Sequence, residues 1–512
     1  MYLSALYVNI QSTDFSCALL QRTKKYLTLF GLSFLIQSPV NALEFDVWFT
    51  YQFAKPLFSS AKEGCDYFHT KYYEWWAPYY NPAKNYFDTP DYYRCAQEES
   101  FAGEMRRRTL SCKDGEAPDF HTGECSSFRQ KGASEDPIAC NAPSAFVGNP
   151  INSSNGNKFH EETNYDSGGV NPILFKHYYN SVDGGWSHSY SSSLYFAVGA
   201  VVVVSEDGRQ SIFIKHGDKY ISSADKGVVE KVEGGWSYTS SSNIVYHYAV
   251  DGLLMYVKKH ENIIYTLVRF FQDSKFIVRV SNSAGVTLDI VEDSSHQPVN
   301  VTAGKFSMLF TYESGRLVTL KKTYKDKVFV RQYHYEDALN SGLLTGITDE
   351  RGVRIASWAY DTQGRAISSQ HSGGVGLTQI TYNSDGSSTV INELRKSTTY
   401  RYQMIGGVRR ITSIEGEPSP NCPASNSSYT YNDSGQILSK VDAQGLITTY
   451  TYNERGLETS RAEASGTALA RITTTDWEPS LFLPRKIVEP TRTTVYSYDD
   501  QGRELSRRTV SH

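Results

Sequence analysis

The sequence predicts an all-β protein whose C-terminal third is an array of repeated β-hairpins. The main observation is a Tyr-x-x-x-Gly motif that recurs six times after residue 312. The copies are Tyr360/Gly364, Tyr382/Gly386, Tyr402/Gly406, Tyr431/Gly435, Tyr452/Gly456 and Tyr498/Gly502. Looser copies stand at Tyr312 and Tyr335, and the one long gap, from Tyr452 to Tyr498, has Trp477 near its middle. A nearly fixed period in this range indicates stacked structural units.

Each unit of about 22 residues predicts two short strands and two tight turns. In the copies at Tyr360 and Tyr431, Asp or Asn stands at the first corner of the turn and Gly at the last, as in Asn432 and Gly435. These residues suit a type I turn, because the Asx side chain bonds its own backbone and Gly accepts a positive φ. Further turns of this kind are expected at 349–352 and 442–445.

Tyrosines in i, i+2 pairs, such as Tyr450 and Tyr452, place two rings on one face of a strand. Such rings either pack strands together or form a stacking platform for sugars. The first reading is favoured, because aromatic cross-strand pairs hold sheets together. Sequence alone does not say which face of the sheet is exposed.

Two regions resemble the Rhs family. YNDSGQILSKVDAQGLITTYTYNERGLETS (431–460) is similar to the YD repeats that Rhs proteins share with teneurins and insecticidal toxin complex shells. YSYDDQGRELSRR (496–508) fits the family pattern Y-D-x-x-G-R-L with Glu504 in place of Leu. GNPINSSNGNKFHEETNY, FKHYYNS and GWSHSYSSSL, between Gly148 and Leu194, resemble the segment that opens the Rhs core. Together the two regions cover most of the chain, from residue 146 to residue 512.

The resemblance implies that the repeats form a curved or partial shell-like sheet around a variable toxin, which the family's own protease segment often releases. No DPxGxxxG-type segment, toxin or spike-adaptor region is recognisable in the sequence, so self-proteolysis is not carried over. We therefore expect a scaffold that is truncated or part of a split system, with a toxin domain or further Rhs segments encoded elsewhere as its partner. The alternative is a secreted or surface protein whose Tyr-rich sheet binds carbohydrate or a neighbouring cell.

The N-terminal segment, 1–42, predicts a leader. Arg22, Lys24 and Lys25 precede an apolar run over residues 26–36, and Val40 and Ala42 suit a cut after Ala42. This is the pattern of a secretory signal peptide over about residues 21–42, and its apolar run is too short to span a bilayer. A short core helix is the alternative reading. The expected location is secreted, cell-surface or periplasmic.

Six cysteines follow the leader, and in an exported chain they are candidates for disulfides. They are Cys65, Cys95, Cys112, Cys125, Cys140 and Cys422. The short polar loop between Cys112 and Cys125 would close naturally as a bridge, whereas the other pairings stay open. A zinc site is the competing reading, but the chain contains no Cys-x-x-Cys motif. The aromatic stretch 67–93 suits a disulfide-held cap over one end of the array, or else an adhesive surface.

The expected domains are a leader (1–42), an aromatic and Cys-rich module (43–145), a core-opening β domain (146–305) and about eight YD repeats (306–512). Net charge is −4 with interspersed charges, which gives no indication of nucleic-acid binding. We expect no enzyme activity, no cofactor, no metal and no stable membrane span. Ser187 and Ser189 flank His188, but neighbours on a strand point to opposite faces and do not form a catalytic pair.

Overall fold

The computed structural model describes sixteen stretches of the chain. They are residues 43–50, 53–58, 65, 92–97, 100–112, 117–118, 125–126, 130–133, 143–197, 200–222, 225–260, 262–272, 275–293, 296–405, 407–416 and 426–512. All belong to one compact unit, Asn41–His512. The expected leader, Cys140, Gly406, Cys422 and most of the aromatic stretch 67–93 lie outside the described residues.

The described residues are mostly β-strands joined by turns. The N-terminal strands are β1 (Leu43–Thr50), β2 (Phe53–Phe58), β3 (Tyr92–Gln97), β4 (Ser100–Cys112), β5 (Ala117–Pro118) and β6 (Cys125–Ser126). The next are β7 (Phe146–Val147), β8 (Ile151–Asn152), β9 (Phe159–Asp166), β10 (Leu174–Asn180) and β11 (Gly185–His188).

The chain then alternates strand and turn to its end. These strands are β12 (Ser193–Ala197), β13 (Ala200–Val204), β14 (Gln210–His216), β15 (Lys219–Ile221), β16 (Val228–Val232), β17 (Gly235–Thr239), β18 (Ile244–Ala249), β19 (Leu254–Lys259), β20 (Asn262–Gln272), β21 (Lys275–Asn282), β22 (Thr287–Glu292), β23 (Pro298–Ala303), β24 (Phe306–Glu313), β25 (Arg316–Tyr324) and β26 (Lys327–His334). The remainder are β27 (Gly346–Thr348), β28 (Arg354–Tyr360), β29 (Ala366–His371), β30 (Thr378–Tyr382), β31 (Ser388–Ile391), β32 (Ser397–Ile405), β33 (Val408–Gly416), β34 (Ser427–Tyr431), β35 (Ile437–Val441), β36 (Ile447–Tyr452), β37 (Glu458–Glu463), β38 (Arg471–Trp477), β39 (Pro484–Glu489), β40 (Arg492–Tyr498) and β41 (Glu504–Ser511). A 3₁₀ turn, Ser372–Gly374, separates β29 from β30.

One antiparallel sheet of 30 strands dominates the fold, with β12 to β41 in sequential order. A three-stranded sheet (β11-β10-β9) and a four-stranded sheet (β2-β1-β4-β3) are separate from it. The all-β hairpin array predicted from the sequence is therefore confirmed. The large sheet crosses the expected domain boundary at 305/306 without a break, because Ala303 pairs with Phe306 in the hairpin of β23 and β24.

The motif turns explain how each repeat reverses direction. In the turn from Asp361 to Gly364, the Gly364 N–H donates to the Asp361 carbonyl (3.0 Å), and Asp361 Oδ1 accepts the N–H groups of Gln363 and Arg365 (both 2.9 Å). Gly364 has a φ of +77°, which the type I turn needs at its last corner. The same positive φ, and the same N–H bond to the Asn or Asp carbonyl three positions earlier, occur at Gly386, Gly435, Gly456 and Gly502.

The Tyr402 copy departs from the predicted turn. Its strand, β32, continues past the tyrosine to Ile405, which pairs directly with Val408 of β33. The chain therefore reverses after Ile405 and not directly after Tyr402. The physical reason is the corner residue, because Gln403 stands where the other copies carry Asn or Asp and its longer side chain does not form the Asx bond.

A β-bulge accompanies most of the motif tyrosines. The strand register shifts at Tyr360, so that the tyrosine marks the irregular position of its strand pair. The same shift occurs at Tyr312, Tyr402, Tyr431, Tyr452, Trp477 and Tyr498.

The main core lies between the three-stranded sheet and one face of the large sheet, which we call the inner face. Phe175, Tyr179 and Trp186 of the three-stranded sheet are buried in one cluster with Val280 and Phe310 of the large sheet. Strand pairing carries the motif tyrosines of β28 to β40 onto this same inner face, because directly paired residues share a face. The aromatic side chains of the repeats therefore point inward.

A second, smaller core lies on the opposite, outer face of the large sheet. Cys112 packs there in a buried cluster with Ala200, Val202 and Ile212 of β13 and β14. Phe49 and Leu110 of the four-stranded sheet pack against this cluster. The described strands of the N-terminal module thus cover the outer face of β13 and β14, near the start of the large sheet.

Candidate functional site

The core-opening segment (residues 148–194) supplies the most densely buried polar groups among the described residues, and it rests on the inner face of the large sheet. Strand β10 is buried along most of its length because β9 and β11 flank it and the large sheet covers it. Side chains reach across this contact at several points. Trp186 Nε1 donates to Tyr335 Oη (3.0 Å), and Tyr179 Oη donates to the Gly342 carbonyl (3.2 Å).

A buried polar cluster lies at the centre of this contact, made of Glu162, Asn164 and His177 from the segment and Arg331 and Tyr333 from β26. Tyr333 Oη donates to Glu162 Oε2 (2.6 Å), and His177 Nε2 lies 3.2 Å from Tyr333 Oη. Arg331 forms an ion pair with Glu162. Its other terminal nitrogen contacts Glu350 at 2.9 Å. The cluster joins residues more than 150 positions apart in the sequence.

The protonation states in this cluster follow from burial. Burial, reinforced by the charge of Lys322 and by His188, lowers the pKa of His177 to about 3, so its imidazole is neutral near pH 7. The Asn164 amide donates to His177 Nδ1, which leaves the hydrogen on Nε2 facing Tyr333 and Glu162. Burial also raises the pKa of Tyr333 well above its usual range. The cluster is thus a fixed set of donors and acceptors around one carboxylate.

A second anchor lies at the start of the segment, where Lys158 is fully buried. Its ammonium sits over the Trp358 ring, 4.3 Å from the centroid, and donates to the Asn149 carbonyl (2.8 Å). The Trp358 indole donates to that same carbonyl (2.8 Å). Burial holds the pKa of Lys158 well below its usual range. Ser153 extends the anchor with hydrogen bonds to Tyr402 (2.8 Å) and Ser388 (2.6 Å).

The repeat tyrosines fasten neighbouring strands of the large sheet to one another. Tyr452 Oη donates to the Ile437 carbonyl of the preceding strand (2.8 Å), and Tyr431 Oη donates to the Ile411 carbonyl (2.6 Å). Equivalent bonds are made by Tyr312, Tyr360, Tyr382 and Tyr498. Trp477 replaces the tyrosine of its repeat, and its indole N–H donates to the Glu458 carbonyl (2.8 Å). This repeat therefore keeps its fastening without a tyrosine.

The repeat-turn glycines do not meet at one place. Each lies in a different hairpin of the large sheet, directly after the strand that carries its motif tyrosine. The glycines placed by the structure are Gly364 (between β28 and β29), Gly386 (β30 and β31), Gly435 (β34 and β35), Gly456 (β36 and β37) and Gly502 (β40 and β41). The repeat-turn residues are therefore elements of the fold, and the side chains that converge belong to the core-opening segment and β26.

Two contacts show that the large sheet returns to itself. The Phe482 N–H, after β38, donates to Asn243 Oδ1 in the turn between β17 and β18 (2.9 Å). One hairpin further on, His260 Nδ1 lies 3.1 Å from the Gln501 carbonyl. Successive late turns thus meet successive early turns. The sheet is therefore curved, with one rim resting on the other.

Two family models match parts of the chain. The model of the family described as RHS Repeat matches residues 431–468. The model of a domain of unknown function, DUF6531, matches residues 148–213, which include the core-opening segment. The chain therefore carries an RHS repeat. Among curated proteins, none matches this sequence.

Two solved structures are similar to this RHS-repeat chain at low identity. The crystal structure of TcdB2-TccC3-Cdc42 has 13% identity and a TM-score of 0.35, with 67% of this chain and 20% of that chain covered. The crystal structure of TcdB2-TccC3 has 10% identity and a TM-score of 0.30, with 82% of this chain and 23% of that chain covered. The RHS-repeat chain thus spans about a fifth of the length of these structures.

The serines and histidine of GWSHSY make packing contacts between the core-opening segment and the large sheet. Ser187 Oγ donates to the Glu206 carbonyl (2.7 Å), and His188 Nε2 lies 3.3 Å from Glu292. Burial alone would raise the pKa of Glu292, but the neighbouring imidazoles of His188 and His296 outweigh that effect and hold the pKa at about 2. His188 is fully buried, so no substrate reaches it in this conformation. The arrangement ties the segment to β22.

The structure places four of the candidate cysteines. Cys112 and Cys125 form a disulfide, as the short loop between them predicts. Cys65 is buried and also disulfide-bonded. Cys95 lies in β3. Within the described part of the chain, no group of three or more His, Cys, Asp or Glu side chains is arranged to hold a metal ion. In the same residues, no helix has the length and apolarity needed to cross a membrane.

The sequence did not indicate the residues of the buried polar cluster as a site. Glu162 and His177 fall inside the stretches that resembled the Rhs core opening, but nothing local to them indicates a partner on β26. The one available signal was composition, because His160, His177 and His188 stand close together in a strand-rich region, which suggests buried imidazoles. Lys158 carries a similar signal, since it stands in a run with few other charges.

Proposed function

We propose that this RHS-repeat chain is an exported structural scaffold that forms part of a toxin-carrying shell. The observation that carries the proposal is the 30-stranded sheet that curves back onto its own turns, with the core-opening segment fastened to its inner face. A continuous hydrogen-bonded sheet with a segment fastened to its inner face is suited to form the wall of a shell. In this proposal the protein has a structural role and is not an enzyme.

The partner in this proposal is a toxin domain or a further RHS segment. Support comes from the YD repeats and the core-opening segment, which resemble the parts of Rhs proteins that surround a toxin. Export is supported by the Cys112–Cys125 bridge, because disulfides persist in oxidising compartments. The proposed location is secreted, cell-surface or periplasmic, through the leader at residues 21–42.

Carbohydrate binding by the sheet is the less favoured alternative. A sugar-stacking surface needs exposed aromatic faces, whereas Tyr429 and Tyr450 are buried, at 8% and 7% exposure. Tyr431 and Tyr452 are partly buried, and their hydroxyls are bonded to the neighbouring strand. Between them, the exposed outer-face positions carry Thr430 and other hydroxyl side chains instead of rings.

The scaffold proposal is tested by isolating the tagged chain from its own host and asking what it contains. The secreted and periplasmic fractions are purified without reductant, and the native mass and the N-terminus are measured. We expect a mature N-terminus at Leu43 and a second polypeptide that resists added protease while the complex is intact. Mild urea that unfolds the scaffold should make that polypeptide digestible.

Two results would contradict the proposal. A native mass equal to that of the chain alone would show that no partner is enclosed. Equal rates of digestion for the partner in the complex and for the free partner would show that the chain does not enclose it. Specific binding on a glycan array by the same preparation, in the absence of any enclosed polypeptide, would establish the carbohydrate alternative.

A further inference from the structure

Among the described residues, the first half of β26, residues 327–330, is a free sheet edge in the middle of the large sheet. Residues 327–330 pair with β25 on one side, from Lys327 opposite Tyr324 to Val330 opposite Lys321. On the other side, β27 is only three residues long and pairs with β26 from Gln332 to His334. Within residues 296–405, which the structure describes without a gap, no strand covers residues 327–330 on that side.

The turn geometry shows which backbone groups this edge presents. Lys325 and Asp326 form a two-residue turn with both φ angles positive (47° and 64°), the geometry of a type I′ hairpin. The closing pair of such a hairpin, Tyr324 and Lys327, is hydrogen-bonded, and bonded and non-bonded pairs alternate beyond it. The N–H and C=O groups of Val328 and Val330 therefore point away from β25, toward the free edge.

The side chains at this edge are apolar and exposed on both faces of the strand. Val328 and Val330 lie on one face, at 52% and 39% exposure, and Phe329 lies on the other, at 43%. Neighbouring Tyr324 is 47% exposed. The four consecutive residues 327–330 are all exposed, and the last three are strongly β-forming. This is an unusual surface for a sheet edge, because such edges invite pairing with another strand.

The charge around the edge selects the kind of strand that fits. Lys321, Lys325 and Lys327 surround the apolar residues, and Asp326 is the one acidic residue of the hairpin tip. A second copy pairing antiparallel, with Val328 opposite Val330, would place Lys327 of each copy directly opposite Arg331 of the other, which opposes self-association. A bilayer would have to desolvate the unpaired peptide groups of the edge, which is costly. A strand carrying carboxylates meets neither obstacle.

We propose that an extended, carboxylate-bearing segment of a partner polypeptide adds as a strand to the free edge of β26. Main-chain hydrogen bonds to Val328 and Val330 would hold the segment, and Lys325 and Lys327 would select its charge. The four-residue edge, about 13 Å long, accommodates one short strand collinear with β27. This inference does not depend on the chain being a shell component.

The test uses the purified full chain and a fluorescein-labelled nine-residue peptide of alternating valine and glutamate. Fluorescence anisotropy should show binding that weakens as salt is raised, because the lysines contribute. A valine–lysine peptide of equal length and a valine–glutamate peptide with alternate backbone nitrogens methylated should both bind at least about tenfold more weakly. Amide exchange at Val328 and Val330, measured in the unmodified protein, should slow when the first peptide is added.

Matched variants separate the contribution of the backbone N–H groups to peptide binding from that of the side chains. Val328→Pro with Val330→Pro removes the two outward N–H groups and should weaken peptide binding by about tenfold or more, because two main-chain hydrogen bonds are lost. Val328→Thr with Val330→Thr keeps both N–H groups and should bind within about twofold of the unmodified protein. Circular dichroism confirms that each variant is folded, and the exchange measurement stands without any variant.

Three outcomes would overturn the proposal. Unchanged peptide affinity in the proline variant would show that the edge is not the binding site. Concentration-dependent dimers in sedimentation, abolished by the proline variant, would make a second copy the occupant. Binding to vesicles containing phosphatidylserine, lost in Phe329→Ala and unaccompanied by peptide binding, would make the edge a membrane contact.

Discussion

Replacing Tyr333 with phenylalanine removes one hydroxyl from the centre of the buried polar cluster. That hydroxyl donates to Glu162 (2.6 Å) and lies 3.2 Å from the imidazole of His177. Tyr333 is 3% exposed, and phenylalanine has nearly the same shape, so the substitution leaves no large cavity and admits no water in its place. The expected effect is therefore the loss of a hydrogen bond to a buried carboxylate.

The expected loss is about 2 kcal/mol in the free energy of unfolding, since hydrogen bonds to charged groups contribute about 1.5–3 kcal/mol. The matched control is Tyr452→Phe, which removes a repeat hydroxyl that donates to a neutral, partly buried carbonyl (2.8 Å). A bond of that kind contributes about 0.5–1.5 kcal/mol, so the control should lose about 1 kcal/mol. The difference between the two losses in unfolding free energy measures how much more a hydrogen bond to a carboxylate contributes than one to a neutral carbonyl.

Equilibrium urea denaturation followed by tryptophan fluorescence is a suitable assay. Trp186 stacks on His177 with ring centroids 4.6 Å apart and meets Tyr333 at 5.1 Å, so its emission reports on the cluster. Combining Tyr333→Phe with Glu162→Gln should give less than the sum of the two single losses, because the two side chains interact directly. Additive losses, or a Tyr333→Phe loss no larger than that of the control, would refute the reasoning.

Three further predictions follow from burial, backbone geometry and the disulfide. Burial raises the pKa of Glu206 to about 7, although a hydrogen bond from Tyr178 opposes the shift. The folded protein therefore favours the protonated carboxyl, and its stability falls as pH rises from about 4.5 to 7. Glu206→Gln should therefore match the unmodified protein at pH 4 and exceed its stability at pH 8, by up to about 3 kcal/mol in urea denaturation; equal values at pH 8 would contradict this. Gly445→Ala introduces only backbone strain, at a φ of +79°, and should lower the free energy of unfolding by about 1–2 kcal/mol. Gly252→Ala would also drive its Cβ into the Leu194 carbonyl and should lower stability clearly more, as measured by thermal unfolding. Replacing Cys112 and Cys125 by serine should destabilise the N-terminal module by about 3 kcal/mol, seen as faster limited proteolysis of that module in the absence of reductant, and unchanged proteolysis would rule out a stabilising bridge.

Local signals in the sequence were sufficient for most of the repeats. The Tyr-x-x-x-Gly spacing indicates a strand followed by a turn because both interactions, the Asx bond and the positive φ of glycine, are made within five residues. The copy at Tyr402 has the spacing without the Asx residue, and there the turn comes later. The gap at Trp477 also had a local signal, and the indole there makes the bond that a tyrosine makes elsewhere. The β-bulges were not predicted, because they depend on how two strands pair.

The contacts of the core-opening segment had no such signal. Glu162 and Tyr333 lie far apart in the sequence, and each resembles an ordinary polar residue on an amphipathic strand until the other is placed beside it. The position of the N-terminal module was only partly predictable for the same reason. The Cys112–Cys125 pairing is local, but its packing on Val202 depends on the outer face of a sheet that forms much later in the chain. The expected boundary at residue 305 reflected where the repeats become regular, and the sheet itself begins at β12.

The central claim is that the core-opening segment and the large sheet form one cooperative structural unit. Native-state amide hydrogen exchange tests it most directly, because it reports how much of the protein must open before each amide is exposed. We expect the amides of β10 to exchange as slowly as those of β21 and β22, against which the segment is packed, and Tyr333→Phe to accelerate both together. Exchange of β10 that is orders of magnitude faster, while β21 and β22 stay protected, would show that the segment is not fastened to the sheet.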